Sequence, residues 1–365
     1  MDLSNLIGKK AEALAADTPR MSKEDYAAMK QGERETLWLE VDSTAQAVLQ
    51  SDEALRGFLD FTANCSPQRT ANLLLLHKQS PEIRQVKTFE GWKEAGRSLR
   101  SNEHGYTFLL GQDYERDDGT QGKGYTIGKV FDISQTKGRQ PEAPKTHFPE
   151  ELLAALVSQS HVPLALSDNL PANVQAQYVP KDHTIYVKND LDATAAFFSI
   201  AREQAHASFD IANGSLSPFG SILAQRCQYR WVPLTPHRGV NCFANGNYSR
   251  KEFSASAYCA AYVTGKKFGL DTSAFNFTKV CEMQGGEKEP KDMRLFLSDV
   301  KNAAYTVTKQ VEQSFGEIEQ QLAPDAFSTE EISAEKHSPT VEKATTNQKQ
   351  QGTKAKSMVA KEAQR

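Results

Sequence analysis

A short run rich in Gly, Pro and polar residues, Gly138 to Pro144, divides this chain, and that division constrains the fold more than any other feature. At 365 residues the chain exceeds what one core usually organises, since single cores rarely grow past roughly 250–300 residues. The pattern predicts an α+β protein of two domains. Residues 51–140 read as a small α+β domain, and 148–323 as a mostly helical domain with a short sheet. Residues 1–50 read as an acidic, helical N-terminal extension. From 324 to 365, Lys, Glu, Gln, Thr and Ser dominate, and aromatics almost vanish after Phe327. Such a segment buries too little apolar surface to offset its ordering entropy, so a disordered C-terminal tail is expected.

Within the first domain, Leu55, Phe58, Leu59 and Phe61 keep helical spacing, which predicts a helix over Glu53–Asn64. Ser66-Pro67 breaks it, and further helices are predicted over Thr70–Gln79 and Phe89–Leu99. Tyr106–Leu110 and Tyr125–Phe131 read as a strand and its return, with a hairpin turn at Asp117-Asp118-Gly119. In the second domain the pattern predicts a helix over Phe148–Ser158. Strands at Val174–Tyr178 and Thr184–Val187 are joined by the turn residues Pro180-Lys181-Asp182. Helices follow over Asp192–Asp210, Glu252–Phe268 (closed by Gly269) and Asp292–Leu322, with an irregular stretch Gly214–Arg250.

The formal net charge is −3, so affinity for nucleic acid must come from a local patch. Five cysteines, an odd number with no C-x-x-C, argue against a disulfide framework or a ribbon-type zinc site and for reduced, buried thiols. Met1–Lys10 lacks the apolar core of a signal peptide. The longest apolar run, Ala257–Val263, is far short of the ~18 residues a membrane helix needs. A cytoplasmic protein with no membrane partner is expected.

One local patch exists. Between Phe61 and Gln112 the cations Arg69, Lys78, Arg84, Lys87, Lys93, Arg97 and Arg100 outnumber the acids Glu82, Glu90, Glu94 and Glu103. Phe89, Trp92, Tyr106 and Phe108 are interleaved with them. Cations that follow phosphates and rings that stack on bases are what sequence-tolerant binding of single strands needs. The same pattern also serves a core, since a Trp at helical spacing packs as readily as it stacks.

A resemblance bears on that choice. Asn72-Leu73-Leu74-Leu75-Leu76, Gln79, Phe89-x-x-Trp92, Gly96-Arg97 and His104-Gly105, in that order, resemble the N-terminal domain of ArdC-like antirestriction proteins. Val130-Phe131-Asp132-Ile133-Ser134-Gln135-Thr136 resembles the closing segment of that domain in the LtrC-like branch from mobile elements. The resemblance implies single-stranded DNA as partner. It marks Arg69, Asn72, Lys78, Gln79, Trp92 and Arg97 as candidate contacts, to which the patch adds Lys87 and Lys93.

The helix near residue 200 reads Ala201-Arg202-Glu203-Gln204-Ala205-His206. In the zincin pattern H-E-x-x-H, two histidines on one helix face bind zinc and the glutamate activates water. Here Glu203 stands at the general-base position and His206 at the second-ligand position. Arg202 occupies the first, and a guanidinium has no lone pair for a metal. The surroundings resemble the metallopeptidase-like domain that follows in the same family, at Tyr178–Val187, Ala261–Val263 and Phe268–Ser273. That family's third-ligand glutamates are replaced by Ser256 and Tyr258, and Glu252 could serve only in a slipped register. The resemblance therefore implies a zincin-like domain, and the replaced ligands imply that it has neither metal nor activity; the Arg202 cation is expected to pair with Glu203 or a neighbouring acid in place of the metal. Two alternatives stay open: a zinc peptidase rewired through His237 and Cys242, or a scaffold that holds a protein of the restriction or conjugation machinery.

Overall fold

The computed structural model describes residues 22–65, 68–115, 119–139, 146–212 and 248–315. The expected tail, most of the linker, Asp117 and Asp118 of the hairpin turn, and His237 and Cys242 lie outside the described residues.

The architecture is α+β, as expected. Helix α1 (Lys23–Val48) starts at Ser22, whose hydroxyl accepts the Asp25 N–H at 3.0 Å. Helix α2 (Asp52–Asn64) starts likewise at Ser51, and buries Leu55, Phe58, Leu59 and Phe61. Helix α3 (Thr70–Gln79) carries four consecutive buried leucines, Leu73 to Leu76. A helix apolar on all sides has to be enclosed, and α1, α2 and β3 surround it. Strands β1 (Val86–Lys87), β3 (Tyr106–Glu115) and β4 (Gln121–Asp132) form an antiparallel sheet in the order β1-β4-β3.

The structure corrects the predicted boundaries in two places here. Helix α4 spans only Phe89–Glu94, because the backbone turns left-handed at Gly96 (φ +70°). The chain then enters β2 (Ser98–Leu99), which pairs with β5 (Thr136–Lys137). The β3–β4 hairpin also runs past the apolar residues that suggested it, from Tyr106↔Val130 out to Glu115↔Gln121. Backbone pairing continues along an arm whose side chains face water, where alternation carries no signal.

In the second half, α5 (Pro149–Ser158) leads into a small sheet ordered β6-β8-β7. Strand β6 (Leu164–Leu166), absent from the sequence reading, lies parallel to β8 (Thr184–Val187), and β7 (Ala176–Val179) lies antiparallel to it. Helices α6 (Ala193–Ala212) and α7 (Arg250–Lys267) pack closely. A Cβ on Gly265 would lie 2.1 Å from the Phe198 ring, so the crossing requires glycine there. Gly269 (φ +77°) then turns the chain so that the Leu270 N–H reaches back to the Gly265 carbonyl at 3.0 Å. A short helix α8 (Thr278–Gln284) precedes the closing helix α9 (Pro290–Ser314).

One cluster of buried side chains takes members from both sides of the linker, from Val41, Phe58, Leu74 and Phe108 to Tyr262, Phe296 and Val300. Polar contacts reinforce this junction. The Tyr262 hydroxyl donates to Asp60 at 2.6 Å, and Arg56 donates to the Phe275 carbonyl at 2.6 Å. A second cluster gathers Leu156, Tyr178, Ile185, Phe197, Ile200 and Val311. Cys65, Cys259 and Cys281 are buried and form no disulfide. Among the described residues no helix is long and apolar enough to cross a membrane.

Candidate functional site

The motif residues of the first half converge on one polar network. Asp132 accepts the backbone N–H groups of Arg84 and Gln85 at 2.9 Å each, and that of Ser134 at 2.9 Å. Gln135 accepts from the Asp132 N–H and donates to Glu103 and to the His104 carbonyl, all at 2.9 Å. The Trp92 indole donates to the Phe131 carbonyl at 2.7 Å. Arg97 donates to the Thr136 hydroxyl at 2.7 Å and to the Arg139 carbonyl. These residues satisfy backbone groups that irregular chain would otherwise leave unpaired.

Asn72 and Gln79 do the same for a strand edge. Among the described residues, β3 pairs with β4 and with no other strand. The Asn72 amide donates to the Leu109 carbonyl at 3.0 Å and accepts the Leu109 N–H at 2.9 Å. Gln79 makes the same pair with Thr107, at 2.9 and 2.7 Å. Two turns of helix thus replace a missing strand and blunt the edge.

Of the eight candidate DNA contacts, the structure places Asn72, Lys87, Trp92 and Arg97 in the interior, with Trp92 only 2% exposed. Lys87 and Arg97 lie over the Trp92 ring, at 5.6 and 5.8 Å from its centre. Gln79 is held on Thr107, and Lys78 pairs with Glu40 at 3.2 Å. Arg69 and Lys93 are exposed.

The rings that remain in water are others. Phe89, Tyr114 and Tyr125 are 52%, 45% and 39% exposed. Tyr114 sits opposite Gly122 on the hairpin arm. A Cβ on Gly122 would lie 2.5 Å from the ring, so the ring lies flat across β4. Arg69 stacks over Tyr125 at 5.2 Å. The sequence signal for Tyr114 was the pair of alternating glycines, Gly122 and Gly124, which leave room for a ring on the facing strand.

In the second half the structure brings Glu203, His206, Tyr178, Tyr248, Asp210 and Arg250 together. Positions 203, 206 and 210 of α6 share one face. Glu203 is fully buried and accepts from the Tyr178 N–H at 2.8 Å and from Arg202 Nε at 3.1 Å. Arg250 grips both of its oxygens, at 2.7 Å each. His206 Nδ1 lies 2.6 Å from the Tyr248 hydroxyl, and the Tyr178 hydroxyl donates to Asp210 at 2.7 Å. The Arg202–Glu203 pair was expected; the stronger, bidentate partner Arg250 was not.

Burial opposes ionisation of Glu203, but Arg250, His206 and the Tyr178 N–H together hold its carboxyl below the usual carboxylate range. Burial pushes His206 down to about 3 and pushes Tyr178 and Tyr248 up. The arrangement does not fit a catalytic zinc, which needs three protein ligands and an open position. Arg250 occupies both carboxylate oxygens of Glu203, and Tyr248 occupies one nitrogen of His206. Ser256 is buried, the Tyr258 hydroxyl accepts the Asn276 N–H at 3.1 Å, and Glu252 is exposed. Among the described residues no group of three or more His, Cys, Asp or Glu could hold a metal ion.

These shifts set a pH dependence. The unfolded chain protonates this histidine near its ordinary value of 6.5, whereas folded His206 stays neutral down to about 3. Stability from His206 is therefore present above pH 6.5 and is lost as pH falls toward 3. Glu203 adds loss in the same direction at lower pH. Buried His77 and His161 are also held below their ordinary value. Urea unfolding at pH 7 and pH 5 should show lower stability at pH 5. His206→Gln should reduce that difference without abolishing it.

Residues 34–146 match the family described as the N-terminal domain of anti-restriction factor ArdC, and the matched stretch begins inside α1. No curated protein matches the chain. Two crystal structures of the antirestriction ArdC protein from plasmid R388 are similar to it. The metal-free one is 17% identical, covering 68% of this chain and 86% of that one, with a TM-score of 0.38. The Mn(II)-bound one is 15% identical, covering 69% and 90%, also with a TM-score of 0.38. Residues 34–146 are thus similar to the N-terminal domain of the anti-restriction factor ArdC.

Proposed function

We propose that this chain binds single-stranded DNA through residues 34–146 and so shields incoming DNA of a mobile element from restriction in the cytoplasm. The observation that carries the reading is the exposure of Phe89, Tyr114 and Tyr125 within an ArdC-type domain. Arg69, Arg84, Lys93 and Arg100 are exposed in the same domain. Open ring faces can stack on bases, and cations can neutralise phosphates. Protection would come from occupancy alone. The second half, with Glu203 clamped by Arg250, would act without metal or proteolysis. Division of labour between residues 51–140 and 148–323 is part of the same proposal.

The test is a titration of the full chain with a fluorescein-labelled 20-nucleotide oligo-dT, read by anisotropy at several salt concentrations. About four phosphate contacts give a log–log slope near −3 for a single strand. EDTA should leave the affinity unchanged. Binding that ignores salt would refute the mechanism.

A further inference from the structure

The Arg69–Tyr125 stack does not end at the family domain's surface. Trp38 of α1 meets Tyr125 edge to face, with ring centres 6.2 Å apart and planes at 72°. Trp38 also meets the guanidinium of Arg294, which lies 5.1 Å from that ring's centre. Arg294 belongs to α9, outside the matched residues 34–146. The result is a row of cation, ring, ring and cation that draws on the start of α3, β4, α1 and α9.

A row built only to staple helices would be covered. This one is not. Tyr125 is 39% exposed and Trp38 is half-buried. Arg69 is exposed, and among the described residues no carboxylate lies within ion-pair distance of it. Lys129 extends the same sheet face two steps along β4 from Tyr125, with its ammonium 2.8 Å from the Thr107 hydroxyl. At the other end Arg294 is restrained, because it forms an ion pair with Asp42 of α1.

We propose that a bound single strand runs along Arg69, Tyr125, Trp38 and Arg294, so that α9 forms one bank of the DNA path and Asp42 tempers its charge. This rests on the single-stranded DNA reading above. A base would lie against the open side of Tyr125, with phosphates at Arg69 and Arg294. Because Asp42 competes with phosphate for Arg294, the path carries its own limit on affinity.

The same oligo-dT titration on the full chain tests this. Tyr125→Leu should weaken binding about ten-fold, the loss of one stacked base, while Tyr125→Phe should bind as the wild type does. Arg294→Gln should weaken binding and flatten the salt slope by about 0.7, one phosphate contact. Asp42→Asn should do the opposite, raising affinity and steepening the slope, although it breaks the same ion pair. A purely structural ion pair would make Asp42→Asn and Arg294→Gln act alike. Lys181→Gln, at the exposed turn of the other sheet, should change nothing. If the wild type binds but Tyr125→Leu, Arg294→Gln and Asp42→Asn all match it, the path is wrong and the DNA reading stands. If the wild type takes up no oligonucleotide at low salt, the DNA reading itself fails.

Discussion

Arg250→Ala is expected to destabilise the protein by about 3 kcal/mol, the low end of the roughly 3–5 kcal/mol that follows when a buried ion pair loses one partner. The carboxylate left behind is fully buried in the wild type and loses the two hydrogen bonds that Arg250 made at 2.7 Å. The low end applies because Arg202 and the Tyr178 N–H still reach Glu203. Arg202→Ala should cost less, about 1 kcal/mol, since it removes one bond from a partly exposed side chain. Denaturant unfolding of the two variants decides the order. A larger loss in Arg202→Ala would show that the guanidinium next to Glu203 in sequence, not the one from α7, carries the cluster.

Trp92→Ala is expected to cost about 4 kcal/mol, in the range of roughly 3–5 kcal/mol for emptying a core Trp site. The indole is 2% exposed and donates to the Phe131 carbonyl, and both Lys87 and Arg97 pack over its ring. Its removal opens a cavity and leaves a strand carbonyl unpaired. Trp92→Phe should recover most of the packing and lose the hydrogen bond, at about 1–2 kcal/mol. At temperatures where Trp92→Phe is still folded, its oligonucleotide affinity should equal that of the wild type. A folded Trp92→Phe with strongly weakened binding would place the indole on the DNA after all.

These expectations depart from the role that the motif order first suggested. The residues that carry the family resemblance, from Asn72 and Gln79 through Trp92 and Arg97 to the Val130–Thr136 segment, were legible in the sequence. Their use was not. Most of them satisfy backbone groups in the β3 edge and around Asp132. A polar residue that secures a buried turn and one that grips a ligand look the same in a linear pattern. Both need a donor at a fixed place, and only the partner differs.

The chain's order of elements was local information. Apolar spacing of three and four residues marked α2, α5 and α6, and alternation marked the inner half of the β3–β4 hairpin. Turn residues placed the β7–β8 connection, and Arg202 at a ligand position already argued against zinc, because a guanidinium offers no electron pair wherever it sits. Tertiary structure decided which groups meet. It brought Arg250 onto Glu203 from another helix, joined Arg69, Tyr125, Trp38 and Arg294 across four elements, and hid Trp92 while leaving Tyr114 and Tyr125 in water. Spacing along the chain records which face of one element is apolar. The pairing of charges and the exposure of rings depend on how separate elements are packed, which no local spacing encodes.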